Sequence, residues 1–585
     1  MKKLAIGLLI GLSLGVGSGW WQFQSKAREE RLKPIVYVVA HPDDDLLFMN
    51  PSIMNNLDKD RRVVVIYITV GDGGQDEDYW RERFKGIREA YGFLGKVNGW
   101  TQKEWQLNRH RLEVWLADNK KLQLVLVGLP DGGYRGEGFE RNDYESLQKL
   151  WLGKIEKIKT VYGESYSWLD LVTTMKSLLE KLQPELVAVQ DVESNYGEED
   201  HSDHISGARL MVEVVRGLKN RVELWSYGDY EIKHWPENVK FEDWKRKRKA
   251  LEIYLKHDEP AQAEREDWEK WSQREYLKWR GKVRQRVVRG MEVRNGKLVD
   301  DEGKELRLIG MATKAFRWKR LSYSLDLFWQ RWRIARYYGA NLVVAYIHPS
   351  TFELFKPEVD KLVAQANKEG FEVALIPVVD EVEVGRNLAR LREAERFPEF
   401  MGQVAARYKD SSQVIYGVWT EPSGFKEKDY LKFVEETVKR IRQENPQAVV
   451  IVDGLGYGRE IVGLPELKRI GKVILDVHDY PAANDRGLRW FLKKWKGRFL
   501  WEDYLNKGLP LMVGEFGGVW REDFGSDLDL DWIRKELERI EEKKVSYVMY
   551  TLDDEALGLF EPQEIKLNRK GKLWREMMMK DWGKL

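Results

Sequence analysis

The sequence predicts an α/β chain of two domains, an open parallel-sheet domain followed by a (β/α)8 barrel. Three observations carry that expectation. Apolar, β-branched runs in the first half (residues 35–39, 63–68, 122–127 and 185–192) each end in a polar or glycine-rich loop, as buried parallel strands do. From Arg307 onward, strand-like and helix-like stretches alternate through eight units. At 585 residues the chain exceeds what one core holds, so two or three domains are expected.

The N-terminus comes first. Lys2-Lys3 precede an apolar stretch over residues 4–21, the shape of a secretory signal, with Val16-Gly17-Ser18 as a cleavage site. The same stretch is long enough for an uncleaved anchor, with Trp20-Trp21 at the interface. Residues 1–30 are therefore predicted to be a signal peptide or a membrane tether. The expected location is extracytoplasmic, either secreted or anchored to the outer face of the cytoplasmic membrane. A net charge of +2 gives no electrostatic case for nucleic acid. With 0 Cys, disulfides, thiol nucleophiles and cysteine metal sites are excluded. The 25 Trp suit either core packing or stacking on the C–H faces of sugars.

Two motifs hold three of the chain's 8 histidines. Ala40-His41-Pro42-Asp43-Asp44-Asp45 follows the strand at 35–39, and His201-Ser202-Asp203-His204 follows the strand at 185–192 and leads into a helix. Both therefore sit at carboxyl ends of parallel strands, where open α/β sheets bind ligands. Two His and one Asp with an open fourth position is the arrangement of a catalytic zinc site, not of a closed structural one. Two further loops at strand ends, Thr69-Val70-Gly71-Asp72-Gly73-Gly74 and Gly128-Leu129-Pro130-Asp131-Gly132, make Asp72 and Asp131 pocket candidates.

At these residues the chain resembles the PIG-L/LmbE-type zinc N-deacetylases, over roughly 33–280. The resemblance implies a Rossmann-like parallel-sheet domain that removes acetyl groups from N-acetylglucosaminyl compounds with one Zn2+. It implies that His41, Asp44 and His204 hold the metal, that Asp43 is the general base for the attacking water, and that His201 stabilises the oxyanion. Asp45 stands where the family usually has Glu.

Residues 240–285 are charged and Trp-rich and suit one or two amphipathic helices. Their basic run, residues 244–249, is expected to be a solvated helix face. The domain boundary is placed near 280–290. A hairpin with an Arg294-Asn295-Gly296-Lys297 turn follows, then a second turn at Asp301-Glu302-Gly303-Lys304.

The barrel is placed at 288–585. Its candidate strands are residues 308–311, 342–346, 373–378, 414–419, 448–452, 473–477, 511–513 and 545–550. Active residues of such barrels come from the carboxyl ends of strands. Glu421 follows the fourth and Glu515 the seventh, and paired carboxylates fit glycoside hydrolysis.

With the opening hairpin, Glu421-Pro422, His478-Asp479-Tyr480 and Gly514-Glu515-Phe516-Gly517, this half resembles clan A glycoside hydrolases, especially family 5 of the cellulase and mannanase type. The resemblance implies Glu421 as acid/base and Glu515 as nucleophile, with Thr420, His478 and Tyr480 contacting sugar or orienting the pair. It also departs from the family. Thr420 replaces an Asn, Val344 stands where strand two usually carries an Arg, and the usual Trp after strand eight is not evident in residues 550–553. Together the halves predict an exported bifunctional enzyme, which removes N-acetyl groups from a glycan and cuts it with retention, acting on an N-acetylated oligo- or polysaccharide. The alternative is an active deacetylase with a non-catalytic, glycan-binding barrel.

Overall fold

The computed structural model describes residues 33–220, 222–263, 265–283, 291–300, 302–316, 324–379, 392–480, 499–518, 527–553 and 557–582. The predicted leader at 1–30, the boundary stretch 284–290 and Asp301 lie outside them. The chain divides into two compact units, with the change at 285/286.

The first unit is built on one eight-stranded sheet. Its strands are β1 (Ile35–Val39), β2 (Val63–Thr69), β3 (Trp100–Leu107), β4 (His110–Ala117), β5 (Leu122–Leu129), β8 (Leu186–Val189), β9 (Glu223–Tyr227) and β10 (Leu277–Lys282), in the order β10-β9-β8-β1-β2-β5-β4-β3. A two-stranded ribbon, β6 (Ile158–Lys159) and β7 (Ser165–Tyr166), lies outside it. The five central strands are parallel, and β1, β2, β5 and β8 are buried along their whole length. That burial on both faces is why they read as continuous apolar runs rather than alternating ones. The edges are antiparallel: β10 on β9 at one side, β4 and β3 on β5 at the other. The β3–β4 hairpin was not expected from the sequence. β3 is largely exposed, so no buried face imposes a clear apolar period on it.

β1 pairs with β2 on one side and β8 on the other. The chain order reverses there, and the carboxyl end of β1 opens onto the crevice where such sheets bind ligands.

The Trp-rich segment forms helices at Phe241–Tyr254 and Arg265–Ser272. Its basic run is not wholly solvated. Lys247 is buried, and its ammonium donates to the carbonyls of Leu47 (2.6 Å), Arg274 (2.7 Å) and Trp271 (3.1 Å). Three carbonyls satisfy three ammonium donors, which is what makes burial tolerable.

The second unit opens with the hairpin β11 (Met291–Arg294) and β12 (Lys297–Asp300). Asn295 and Gly296 both take positive φ, 53° and 75°, the type I′ geometry that Asn-Gly favours. Eight parallel strands then close a barrel: β13 (Ile309–Thr313), β14 (Leu342–Ile347), β15 (Glu372–Pro377), β16 (Val414–Gly417), β17 (Val450–Asp453), β18 (Val473–His478), β19 (Leu511–Phe516) and β20 (Ser546–Met549), with β20 pairing back onto β13. The predicted strands and the closed barrel agree, with boundaries that shift by a few residues. β19 extends to Phe516 and so carries Glu515 inside the strand.

Tryptophan serves the core: Trp332, Trp419, Trp501, Trp532 and Trp574 are fully buried. Among the described residues, no Trp is among the exposed large apolar side chains. Among the same residues, no helix is long and apolar enough to cross a membrane.

Candidate active sites

In the first unit, β1 ends at Val39 and a helix begins at Asp44, so residues 40–43 form a tight bend over the sheet. The bend is cross-braced. Asp44 Oδ2 accepts from the His41 backbone N–H at 2.7 Å, and Asp43 takes a φ of 134°, a costly region for a residue with a Cβ. This geometry turns the His41 ring and the Asp44 carboxylate toward the start of the helix Ser202–Arg216, where His204 lies. Donor atoms of His41, Asp44 and His204 all lie within 4.8 Å of one another, and all three residues are buried.

The donor set fits a metal. His204 Nε2 is 3.0 Å from Asp44 Oδ1, and its Nδ1 is 2.8 Å from Asp200 Oδ1. An imidazole with one nitrogen held by a carboxylate and the other turned to a second carboxylate in a buried pocket is oriented as a ligand. Both nitrogens of His41 also face carboxylates, with Nδ1 3.4 Å from Asp44 Oδ2 and Nε2 3.3 Å from Asp203 Oδ2. Burial opposes the ionised form of Asp44, but His204 and His41 override it and hold the carboxyl well below its usual range. A second cluster, His41, Asp131, His201 and Asp203, is equally compact but fits a metal less well. There Asp203 Oδ2 accepts from Gly132 N–H (2.7 Å), and His201 Nδ1 accepts from Asp203 N–H (3.2 Å) at the helix cap.

That cap leaves the His201 proton on Nε2, 3.8 Å from Asp131 Oδ1, so the ring offers a donor beside the metal set. Burial, followed by the charge of His41, depresses its pKa to about 4, which keeps the ring neutral. Asp43 accepts from Arg83 Nη2 at 2.6 Å. Burial raises its carboxyl, Arg83 pulls it back, and the balance is about 8. Asp131 stands inside the site, 3.7 Å from His41 Nε2. Asp72 stands one layer behind it, accepting from Asp131 N–H and Asn142 Nδ2, each at 2.7 Å. Asp45 faces away from the metal set and accepts from the hydroxyls of Tyr67 (2.8 Å) and Tyr91.

Sequence reasoning gave no role to Asp200, Asp203 or Arg83. Asp200 carried a usable signal, since it lies four residues before His204 and just outside the quoted motif. Arg83 did not, because its contact with Asp43 spans 40 residues.

In the barrel, donor atoms of Glu421, His478 and Glu515 lie within 4.8 Å of one another. His478 and Glu515 are neighbours across β18 and β19. Glu421 follows β16 with a φ of 53°, and its backbone N–H donates to Asp453 Oδ2 at 2.9 Å. The two carboxylates differ in setting: the Glu421 side chain is 34% exposed and that of Glu515 is 7%. Burial lifts Glu515, His478 opposes and Glu421 adds, leaving it at about 7. Tyr480 donates to Glu515 Oε2 at 3.2 Å, and Tyr346 donates to Oε1.

Val344, in place of an arginine, offers Glu515 no charged partner. Tyr346, two residues further along β14, takes hold of it instead, from 169 residues away. Thr420 is buried beside Glu421, with its N–H on the Pro377 carbonyl at 3.2 Å. Gly514 makes room for the layer beneath: a Cβ there would overlap Asp476 Oδ1. Gly514→Ala is expected to cost about 1–3 kcal/mol by overpacking, read as a lower denaturation midpoint. An unchanged midpoint would show that the carboxylate can move aside.

Residues 36–215 match the family model described as GlcNAc-PI de-N-acetylase (PIG-L). Residues 332–556 match the model described as Cellulase (glycosyl hydrolase family 5). Among curated proteins, Endoglucanase CelA of Streptomyces lividans is 27% identical over 289 residues, covering 45% of this chain and 57% of the relative. Endoglucanase A of Butyrivibrio fibrisolvens is 23% identical over 265 residues, covering 42% and 57%. The chain thus spans a little over half the length of the curated relatives it matches. Among solved structures, the catalytic domain of Thermobifida fusca endoglucanase Cel5A is 18% identical with a TM-score of 0.40, covering 50% of this chain and 97% of that one.

Proposed function

We propose that this chain, which joins a PIG-L-type de-N-acetylase segment to a family 5 glycoside-hydrolase segment, processes an N-acylated glycan by amide hydrolysis in one unit and glycosidic hydrolysis in the other. One observation supports each activity: the buried cluster of His41, Asp44 and the carboxylate-backed His204 in the first unit, and the close Glu421–Glu515 pair in the second.

In the first unit His41, Asp44 and His204 would hold zinc, which supplies Lewis-acid polarisation of the acyl carbonyl and a lowered pKa for the attacking water. Asp43, steadied by Arg83, accepts the water's proton and later returns it to the leaving amine. A carboxyl poised near neutrality suits both transfers. His201 donates from Nε2 to the developing oxyanion. Asp131, in the site, and Asp72, behind it, shape the pocket wall that receives the sugar.

In the barrel, buried Glu515 is the nucleophile, and Glu421, open to incoming water, is the acid/base. Their spacing supports retention, since inversion needs carboxyl groups about 6.5–9.5 Å apart. His478 and Tyr480 orient the pair, and Thr420 replaces an amide reader of the 2-position. That change favours a sugar bearing an amine there, so that deacylation precedes cleavage. The same change favours the second reading, a barrel that binds glycan without cutting it. We place the protein outside the cytoplasm on the strength of Lys2-Lys3 and the apolar residues 4–21.

The deciding experiment supplies chitooligosaccharides and zinc to protein lacking residues 1–30 and follows acetate release and chain length together by mass spectrometry. Shortening that follows loss of acetyl groups supports both activities and their order. Acetyl loss at constant length leaves the binding barrel. Zinc bound stoichiometrically with no acetate released from any N-acetylated sugar sinks the deacylation reading.

A further inference from the structure

Next to the carboxylate pair, the barrel interior holds a second acidic layer that the hydrolytic reading does not use. Asp453 ends β17 and Asp476 lies in β18, and the parallel register sets them side by side. Each is 2% exposed. His478, two residues beyond Asp476, stands between the layers. Its Nε2 is 3.4 Å from Asp453 Oδ2 and 3.8 Å from Asp476 Oδ2. Its Nδ1 is 3.3 Å from Glu421 Oε1 and 3.7 Å from Glu515 Oε2. The Asp453 oxygen nearest the ring also accepts the Glu421 N–H at 2.9 Å. Glu421 needs that brace, because its φ of 53° is unfavourable for a residue with a Cβ.

The charges match the geometry. Two neighbouring carboxyls in a dry site do not both ionise readily. Burial and then Asp476 push the Asp453 carboxyl well up. Burial also disfavours charge on His478, but Glu515, Asp476, Glu421 and Asp453 around the ring outweigh it and raise its pKa well above the ordinary imidazole value.

We propose that Asp453 and Asp476 form a buried acidic base that keeps His478 a cation between the two catalytic carboxylates, and that both are positioning residues for the barrel's hydrolysis. The fixed cation favours an ionised Glu515, ready to attack, while Asp453 holds the backbone of Glu421. This rests on the hydrolytic reading of the barrel for its purpose, but not for its test.

The test is imidazole nitrogen NMR on the full chain, with the His478 signals assigned through His478→Gln and followed from pH 5 to 9. In the native protein the His478 ring is expected to remain an imidazolium throughout. In Asp453→Asn/Asp476→Asn it is expected to titrate within the range. Each single variant is expected to retain the cation, since one carboxylate still faces the ring nitrogen. On any glycoside the native protein cleaves, the double variant should move the acid limb of kcat/KM upward by about one unit or more. A merely structural role would lower the rate at all pH values alike. A native His478 that titrates near its ordinary pKa overturns the proposal, and that measurement stands even if the double variant fails to fold. An unchanged ring signal in a folded double variant also overturns it. If no glycoside is cleaved, the hydrolytic reading fails, while the NMR still decides the state of the ring.

Discussion

Replacing His204 with alanine is expected to abolish zinc binding and amide hydrolysis together, while glycoside cleavage by the same preparation continues. Lewis-acid stabilisation is worth several kcal/mol, so the loss of rate is on the order of 10³-fold or more. The geometry singles out this residue because it is fully buried, with Nδ1 held at 2.8 Å by Asp200 and Nε2 turned to Asp44 at 3.0 Å. Asp200→Asn supplies the graded comparison. It keeps the size of the side chain but weakens the hold on the ring, and a change of that kind costs about 10–100-fold in metal affinity. Metal content by mass spectrometry, alongside acetate release, separates the outcomes. Stoichiometric zinc in His204→Ala would remove this residue from the ligand set and shift attention to the neighbouring cluster of His41, Asp131, His201 and Asp203.

Glu421→Gln is expected to slow cleavage of glycosides with poor leaving groups by about 10²–10⁴-fold, the usual value of a positioned acid/base. Aryl glycosides with good leaving groups need no proton in the first step, so their glycosylation step is expected to be far less affected. The contrast between the two substrate types identifies an acid/base rather than a damaged fold. On the proposed assignment of Glu515 as nucleophile, this residue sets the acid limb of the native barrel. Glu515 must be ionised to attack, and its carboxyl lies at about 7, so kcat/KM is expected to fall as pH drops below that value. Equal losses on both substrates would reassign Glu421 to binding. An acid limb near the ordinary carboxyl value would show that Glu515 is better solvated than its 7% side-chain exposure indicates.

Both predictions start from local signals in the chain. The histidine motifs, the glutamates after the fourth and seventh barrel strands, the continuous apolar strands and the Asn295-Gly296 turn are all short-range patterns. A buried parallel strand must be apolar on both faces, and a type I′ turn must have residues that tolerate positive φ. A metal-binding bend likewise needs its donors at fixed spacing. Such constraints act within a few residues, so the sequence by itself determined the two α/β architectures, and it singled out His41, Asp44, His204, Glu421 and Glu515, which the fold gathers into two clusters.

What only the tertiary structure decided is how those groups are held. Arg83 reaches Asp43 across 40 residues and Tyr346 reaches Glu515 across 169. Asp453 and Asp476 become neighbours only through the β17–β18 register. Asp45, one position beyond a metal-set residue, turns instead to Tyr67 and Tyr91. The largely exposed strand β3 carried no clear period to read. Partners of this kind are chosen by strand register and barrel closure, which bring together residues whose separation along the chain leaves no mark in either neighbourhood. Burial then gives the contacts their force, because a charge taken out of water must find its counter-charge or its hydrogen bonds wherever the fold supplies them.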